Sequence, residues 1–262
     1  MIAASLLLLL AQDGTAAVQP PRTLDQDRLT VCLEQARADP ATAIAEAGSW
    51  AAATTGAEAS YPQQCLGLAY SMLLRWEAAE NAFMSARESA TDAFRRARLA
   101  TMAGNAALAD GRAADALAAL DLAAADAAAS ADAGLRAMVE VDRARAMVME
   151  GREGEAEAVL AGARALDAQS PFAWLLSATL ARRLGKLDEA QGFIETAAAL
   201  SPDYPEVGLE AGVIAMLSGR AEAAEASWRS VIELAPDGEE AASARSYLAQ
   251  AAELAAEEPS AP

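Results

Sequence analysis

The sequence predicts an all-α protein, a solenoid of antiparallel helix pairs with one capping helix at its C-terminus. Three observations lead to this fold class. Alanine, the strongest helix former, supplies 74 of the 262 residues, whereas aromatic residues make up 5%. Glycines return at a spacing of 34 residues in the second half of the chain, and small residues fall at fixed distances from them. A period of this length indicates stacked units that share a continuous core.

Three copies of the repeat are centred on Gly151, Gly185 and Gly219. Each copy has a small or β-branched residue five and twelve positions after the glycine and another small residue seven positions before it. These residues are Ala156, Ala190 and Ala224; Ala163, Ala197 and Val231; and Ala144, Ala178 and Gly212. Prolines follow two of the glycines, at Pro202 and Pro236. The pattern predicts a helix, a tight turn closed by a glycine with positive φ, and a second helix ended by proline.

Two weaker copies of the repeat precede these three. One is centred on Gly111, with Gly104 seven positions before it, and is followed by six extra residues. The other is centred on Leu74, where the turn glycine is missing, but it keeps Gly67 seven positions before. Both keep alanines five and twelve positions after the turn, at Ala79, Ala86, Ala116 and Ala123. The stretch from Leu24 to Ala53 supplies a degenerate first pair, broken at its internal Asp-Pro.

This arrangement divides the chain into a leader at 1–17, a short linker at 18–23, a solenoid at 24–255 and a disordered tail at 256–262. Within the solenoid we expect six helix pairs and a capping helix. The expected units are 24–56, 60–93, 97–136, 137–170, 171–204 and 205–238, followed by the cap at 239–255. A capping helix with a polar outer face keeps the end of a solenoid in solution.

The repeat resembles the tetratricopeptide repeat family. The resemblance rests on CLGLAY at 65–70 with RWEAAENAF at 75–83, on AWLLSATLARRLGKLDEA at 173–190, and on the unit from Gly212 to Pro236. It covers the whole expected solenoid and is strongest from 137 to 238. The resemblance implies a right-handed superhelix whose concave face is lined by the first helix of each pair. Proteins of this family generally act as scaffolds that bind peptides or other proteins on that face.

Composition excludes several classes of function. A net charge of −18 repels the phosphates of nucleic acids, so we expect no nucleic-acid partner. The chain has no histidine, which removes the commonest general base and metal ligand. It also lacks phosphate-loop, dinucleotide-binding, zinc-protease and nucleophile-elbow signatures. We therefore expect no enzyme activity, no catalytic residues, no metal site and no cofactor.

The N-terminus resembles a secretory leader. It reads MIAASLLLLLA, an apolar stretch that is too short to span the roughly 30 Å of hydrocarbon in a bilayer. Small residues at Ala11 and Ala17 offer cleavage sites. The sequence therefore predicts an exported, periplasmic bacterial protein with no integral membrane span. The alternatives are a cytoplasmic protein whose apolar N-terminal helix docks on the first repeat, or a misplaced start codon.

Two cysteines bear on the same question. Cys32 and Cys65 lie 33 residues apart, which would place them on corresponding helices of neighbouring units. An even number of cysteines is compatible with one disulfide in an oxidising compartment. The alternative is that both are small buried hydrophobic residues.

The resemblance also indicates which residues line the concave face. By register on the first helices they are Arg98, Thr101, Asn105, Met138, Val141, Arg145, Phe172, Leu175, Thr179, Arg182, Leu209, Val213 and Met216. Arg98, Arg145 and Arg182 would form a positive track, which predicts a partner segment with acidic and apolar residues. The alternative is that these arginines pair with local acids, such as Arg145 with Asp142.

These observations predict a non-catalytic scaffold that binds a protein or peptide partner on its concave face. We expect the protein to be a monomer. The alternatives are a structural subunit that self-associates and an accessory module of a cell-envelope assembly.

Overall fold

The computed structural model describes residues 23–257, with side chains described through Leu254. The predicted leader, the linker up to Arg22 and the last five residues of the predicted tail lie outside the described residues. Within this range the chain forms thirteen α-helices and one 3-10 turn at Gly56–Ala59. The helices are α1 Leu24–Ala38, α2 Pro40–Ala52, α3 Ser60–Met72, α4 Trp76–Ser89, α5 Ala93–Ala109, α6 Ala113–Ala128, α7 Ala133–Met149, α8 Glu153–Leu166, α9 Pro171–Arg183, α10 Leu187–Leu200, α11 Pro205–Leu217, α12 Ala221–Leu234 and α13 Glu239–Glu257.

The helices pack in sequence order as antiparallel pairs. α1 packs on α2, α3 on α4, and so on to α11 on α12, and each pair also contacts the pair that follows it. α13 packs on α12 and α11, where the first helix of a further pair would lie. The predicted all-α solenoid of helix pairs is confirmed.

Some helices extend beyond the expected bounds. α5 and α7 each begin four residues before the expected unit starts. Their first turns are capped by aspartates, because the side chain of Asp92 accepts a hydrogen bond from the N–H of Arg95 at 2.8 Å, and Asp132 accepts one from Leu135 at 2.8 Å. At the other end of the chain, α13 continues to Glu257, two residues past the expected end. Asp92 and Asp132 are N-cap residues that the sequence already shows, and they could have predicted that these helices start earlier.

The five turns between the helices of each pair, from α3–α4 to α11–α12, share one backbone geometry. Four of them contain a glycine with φ between 72° and 74°, as at Gly151. The residue after the glycine donates its N–H to the carbonyl five positions earlier, as from Arg152 to Met147 at 2.9 Å. This hydrogen bond closes the first helix and requires a positive φ, which side chains of L-residues disfavour.

The α3–α4 turn has Leu74 in place of the glycine. Its φ is +55°, in the left-handed region, and Arg75 still donates its N–H to the Tyr70 carbonyl at 2.9 Å. The Leu74 side chain is 69% exposed, so it gains little from packing. The position where the sequence repeat lacks its glycine is therefore a strained copy of the same turn.

Small and large side chains oppose each other where the two helices of a pair approach most closely. A Cβ atom added at Gly212 would lie 2.2 Å from Nε1 of Trp228, and one added at Gly67 would lie 2.5 Å from the ring of Phe83. These contacts leave no room for a larger residue. The corresponding residues of the other pairs are also closely packed or buried together: Gly104 with Leu120, Ala144 with Leu160, and Ala178 with Ile194.

The small residues expected five and twelve positions after each turn form the other side of this contact. All of them have zero exposure: Ala79, Ala86, Ala116, Ala123, Ala156, Ala163, Ala190, Ala197, Ala224 and Val231. They lie on the second helices, on the faces that pack against first helices. The register of small residues predicted from the sequence is confirmed.

A basic residue follows each of the five turns, and two of these residues make ion pairs with the preceding helix pair. The residues are Arg75, Arg112, Arg152, Lys186 and Arg220. Arg112 pairs with Glu80 of α4 at 2.6 Å, and Lys186 pairs with Glu157 of α8 at 2.5 Å. In both cases the contact joins a turn to the second helix of the preceding pair. Arg112 and Lys186 therefore connect neighbouring helix pairs.

Replacing Leu74 with glycine should raise the free energy of unfolding by about 1 kcal/mol, because glycine adopts a positive φ without the steric cost that leucine carries. Urea unfolding followed by circular dichroism measures the change. Leu73→Gly is the matched control, since Leu73 has an ordinary φ of −95° and glycine there should lower stability. A Leu74→Gly protein that is no more stable than the parent would contradict this account of the turn.

Gly212→Ala should lower the free energy of unfolding by about 1–3 kcal/mol, because the added methyl group overlaps the indole of Trp228. Adding Trp228→Leu should restore part of the loss, since an alanine and a leucine already occupy these positions in the α7–α8 pair. The control is Gly192→Ala on α10, where nothing lies within 4 Å of the added atom. Equal stability of the two glycine variants in the same unfolding assay would refute the close contact.

Candidate functional site

The first helix of each pair lies on the inner side of the solenoid. α5 contacts α7, α7 contacts α9, α9 contacts α11, and α11 contacts α13, whereas the second helices make their main contacts with first helices. Successive first helices are therefore drawn together, and the surface they share is concave. This inner face carries the positions that the sequence predicted for partner binding.

A cavity of about 770 Å³, here called the α7–α11 cavity, opens across three consecutive first helices of the inner face. Seven of the predicted residues line it: Met138, Val141, Arg145, Phe172, Leu175, Thr179 and Leu209. The remaining lining residues are Asp142, Ser170, Leu176, Tyr204, Glu206, Glu210 and Glu240. The register on α7, α9 and α11 thus brings these seven side chains to one site.

The α7–α11 cavity has apolar side chains that are open to solvent. Met138 is 44% exposed and Phe172 is 50% exposed. The Phe172 ring meets Tyr204 edge to face, with ring centroids 5.2 Å apart. Leu175 and Leu209 also line the cavity. Apolar surface that is left accessible inside a concave site is typical of surfaces that bind a partner.

Acidic groups outnumber basic groups around this cavity. Its lining has four carboxylates, at Asp142, Glu206, Glu210 and Glu240, and one guanidinium, at Arg145. Burial is the main cause that raises the pKa of the Tyr204 hydroxyl, and the negative charges of Glu206 and Glu240 raise it further. The charge around Tyr204 is therefore negative.

The predicted positive track is not formed, and this corrects the expectation from the sequence. Arg145 pairs with Asp142 at 3.0 Å, as the alternative interpretation held. Arg182 pairs with Glu210 of α11 at 2.6 Å and does not line the α7–α11 cavity. Acids at matching inner positions neutralise both arginines, and the sequence spacing alone does not reveal the pairing from α9 to α11.

A second cavity of the inner face, here called the α1–α5 cavity, has a volume of about 350 Å³ and lies between α1, α3, α4 and α5. Arg98 and Asn105 line it, as predicted for the concave face. Its other lining residues are Leu33, Arg37, Gln64, Leu68, Ser71, Trp76, Phe83, Met102 and Ala106. Arg37 was missed in the sequence because the first pair lacks the turn glycine that sets the register.

Besides Arg182, three predicted residues lie outside both cavities. Thr101 is buried, and its hydroxyl donates a hydrogen bond to the Ala97 carbonyl at 2.8 Å, so it does not face a partner. α5 contacts α4, α6 and α7, so a larger part of its surface is covered than register alone predicts. Val213 and Met216 line a small cavity of about 180 Å³ beside α13, because the capping helix covers that end of the inner face.

The two larger cavities adjoin each other. Asn105, which lines the α1–α5 cavity, donates a hydrogen bond from Nδ2 to Oδ2 of Asp142, which lines the α7–α11 cavity, at 3.0 Å. Asp142 in turn accepts a hydrogen bond from Arg145. This chain of polar contacts joins α5 to α7 and places the cavities side by side along the inner face.

Cys32 and Cys65 form a disulfide between α1 and α3. Their Cα atoms lie 6.0 Å apart, within the usual range for a disulfide. The bond joins the first helices of two neighbouring pairs, as the spacing of 33 residues led us to expect. It fixes the α1–α3 wall of the α1–α5 cavity.

Residues 23–257 contain neither a metal-binding cluster nor a helix that could span a membrane. Among residues 23–257, no group of three or more candidate ligands is arranged to hold a metal ion. In the same range, none of the helices combines the length and the apolar character that a membrane crossing requires.

Comparisons with known proteins agree with this architecture. Residues 181–248 match the tetratricopeptide repeat family. No curated protein sequence matches the chain at a significant level. PilF of Pseudomonas aeruginosa is similar in structure, with a TM-score of 0.64 and 15% identity over 86% of this chain and 97% of that chain. PilW, a type IV pilus biogenesis factor, has a TM-score of 0.66 and 20% identity over 84% of this chain and 97% of that chain.

A third similar structure is BtubC from P. vanneervenii, with a TM-score of 0.61 and 16% identity over 77% of this chain and 90% of that chain. At these identities the similarity concerns the fold. Together with the family match over 181–248, it defines the class: the described chain is a solenoid of the tetratricopeptide type.

Reducing the Cys32–Cys65 disulfide should lower the free energy of unfolding by about 3–4 kcal/mol, the range that loop-closure entropy gives for a loop of this length. The measurement is urea unfolding of protein folded under oxidising conditions, with and without dithiothreitol. The variant with Cys32→Ala and Cys65→Ala serves as the control and should not respond to the reductant. Two free thiols in the oxidised protein, counted by alkylation and intact mass, would contradict the bond.

Proposed function

We propose that this protein is a non-catalytic scaffold that binds a segment of another protein along the inner face of its solenoid. The observation that carries the proposal is the α7–α11 cavity, an apolar depression of about 770 Å³ built by three consecutive first helices. A cavity of this size accommodates several side chains of a bound segment. Family members generally bind proteins or peptides on this face, which supports the same assignment.

The exposed apolar residues of the cavity favour a protein partner. Phe172 and Met138 gain from burial when a partner covers them, and each contributes roughly 1–3 kcal/mol if fully buried. Thr179 and Tyr204 supply hydroxyl groups at the same site. A small number of polar groups around an apolar floor is the usual arrangement for recognition of a specific segment.

We propose that the scaffold acts outside the cytoplasm, in the bacterial cell envelope. Three observations support this location: the apolar N-terminal segment that resembles a secretory leader, the Cys32–Cys65 disulfide, and the structural likeness to PilF and PilW. PilW is a type IV pilus biogenesis factor. A role as an accessory module in assembling an envelope structure is the form of the proposal that this likeness suggests.

Self-association is the second candidate, and the exposed apolar residues at the C-terminal end favour it. Leu217 is 55% exposed and Leu254 is 64% exposed, beside the small cavity at α13. Light scattering over a range of protein concentrations separates the two candidates. We expect a monomer at all concentrations, whereas a mass that grows with concentration would favour end-to-end association.

Site-specific photocrosslinking tests the proposed function directly. With benzoylphenylalanine in place of Phe172, the protein in its native cells should capture a partner protein, because this side chain is exposed on the floor of the cavity. The matched control is the same photoreactive residue in place of Glu195, which is exposed on α10. Adding Leu175→Asp to the Phe172 variant should abolish capture. Equal capture from both positions, or none from either, would refute binding at the inner face.

A further inference from the structure

One position of the repeat changes its chemistry progressively along the inner face. The residue thirteen positions before the turn is Arg98 on α5, Met138 on α7, Phe172 on α9 and Glu206 on α11. Because these residues occupy the same position of the repeat, their side chains lie at equivalent places on successive first helices. From α5 to α11 the inner face is therefore basic first, apolar in the middle and acidic last, whereas the same position on α3 is Tyr61.

The α1–α5 cavity is the basic end. Arg37 and Arg98 line it, and its lining contains no carboxylate, although the protein carries a net charge of −18. Both arginines are exposed, and neither makes an ion pair with a residue in the part of the chain that the structure describes. Their floor is apolar, with Phe83 and Trp76 from α4. Two guanidinium groups without an ion pair, beside an apolar floor, suit a segment that is acidic and apolar.

The α7–α11 cavity ends in an acidic rim. Two of its four carboxylates, Asp142 and Glu210, are neutralised by arginines. Glu206 and Glu240 make no ion pair with any residue between 23 and 257, and both lie close enough to Tyr204 to raise the pKa of its hydroxyl. Both carboxylates are half-buried. A lysine or arginine of a partner would form ion pairs with these carboxylates.

Both cavities can be covered by one segment. The Asn105–Asp142 hydrogen bond places them side by side, and the apolar residues of α7 and α9 lie between the charged ends. Packed helices lie about 8–10 Å apart, so the path from α5 to α11 is roughly 24–30 Å long. That length corresponds to about 16–20 residues of a helix or about 7–9 residues of an extended chain.

We infer that the partner is a single segment that spans roughly 24–30 Å and has an acidic end, an apolar middle and a basic end. Its acidic end lies at Arg37 and Arg98, and its basic end lies at Glu206 and Glu240. This inference rests on the proposed function and adds the chemistry and the orientation of the bound segment. It replaces the segment with acidic and apolar residues that the arginine spacing predicted.

Selection of peptides from a random library tests this inference, because the selection itself reveals which charges the inner face prefers. The probe is a displayed library of 20-residue peptides, and the target is the full chain with its disulfide intact. We expect the enriched peptides to have an apolar middle with acidic residues at one end and basic residues at the other. The affinity of the most enriched peptide is then measured by titration calorimetry.

Charge reversal at each end should have separate effects. Arg37→Glu with Arg98→Glu should weaken binding of the enriched peptide by at least about tenfold, because like charges then meet at the acidic end. Repeating the selection on this variant should enrich peptides that are basic at both ends. Selection on the variant with Glu206→Lys and Glu240→Lys should instead enrich peptides that are acidic at both ends.

A matched control separates these local effects from a change in net charge. Arg183→Glu with Arg229→Glu alters the net charge by the same amount as the double arginine variant. Both positions are exposed and lie outside both cavities, so binding of the enriched peptide should be unchanged. An equal loss of affinity in this control would overturn the inference.

The outcomes separate this inference from the proposed function. One outcome is that binding of the enriched peptides is lost on Leu175→Asp, but the peptides do not carry acidic residues at one end and basic residues at the other. This outcome would overturn the inference and leave the scaffold function intact. If no enriched peptide depends on Leu175, both are overturned. A second copy of the chain on this face would appear as a dimer in sedimentation that dissociates on Leu175→Asp, and this result would also overturn the inference.

Discussion

The close approach of the two helices in each pair is the contact on which the rest of this structure depends. A small residue of the first helix lies against a large residue of the second, from Gly67 and Phe83 near one end to Gly212 and Trp228 near the other. The fully buried small residues of the second helices lie on faces that pack against first helices. The high alanine content, at first only a sign of helix, provides the small side chains for these contacts.

This packing leaves one side of each first helix free for function. The buried anchors use the faces directed at the second helix and at the next pair, and some inner side chains, such as Val141, also pack in the core. Arg98, Met138, Phe172 and Glu206 occupy equivalent places with four different chemistries, which the scaffold tolerates because none of them is buried in a core cluster.

The sequence predicted the repeat well because its anchors are rare or strictly spaced residues. The turn glycines need positive φ and the small residues need close contact, so local chemistry fixes their positions, and even the missing glycine at Leu74 marked a real turn. The site was predicted less completely. Seven residues of the α7–α11 cavity followed from register, but the burial of Thr101 depends on how closely α5 and α7 pack, and the Arg182–Glu210 pair depends on the spacing of two helices. Both depend on distances between helices in the folded protein, which the spacing of residues along the sequence does not give.

A crystal structure of the full chain bound to its partner segment is the most direct test of binding along the inner face. We expect a single segment along the first helices, with a carboxylate of the segment at Arg98, apolar side chains on Phe172 and Leu175, and a basic side chain near Glu206. A segment bound to the second helices would contradict this mode of binding. So would a segment on the inner face whose charges do not meet the charges of opposite sign at the two ends.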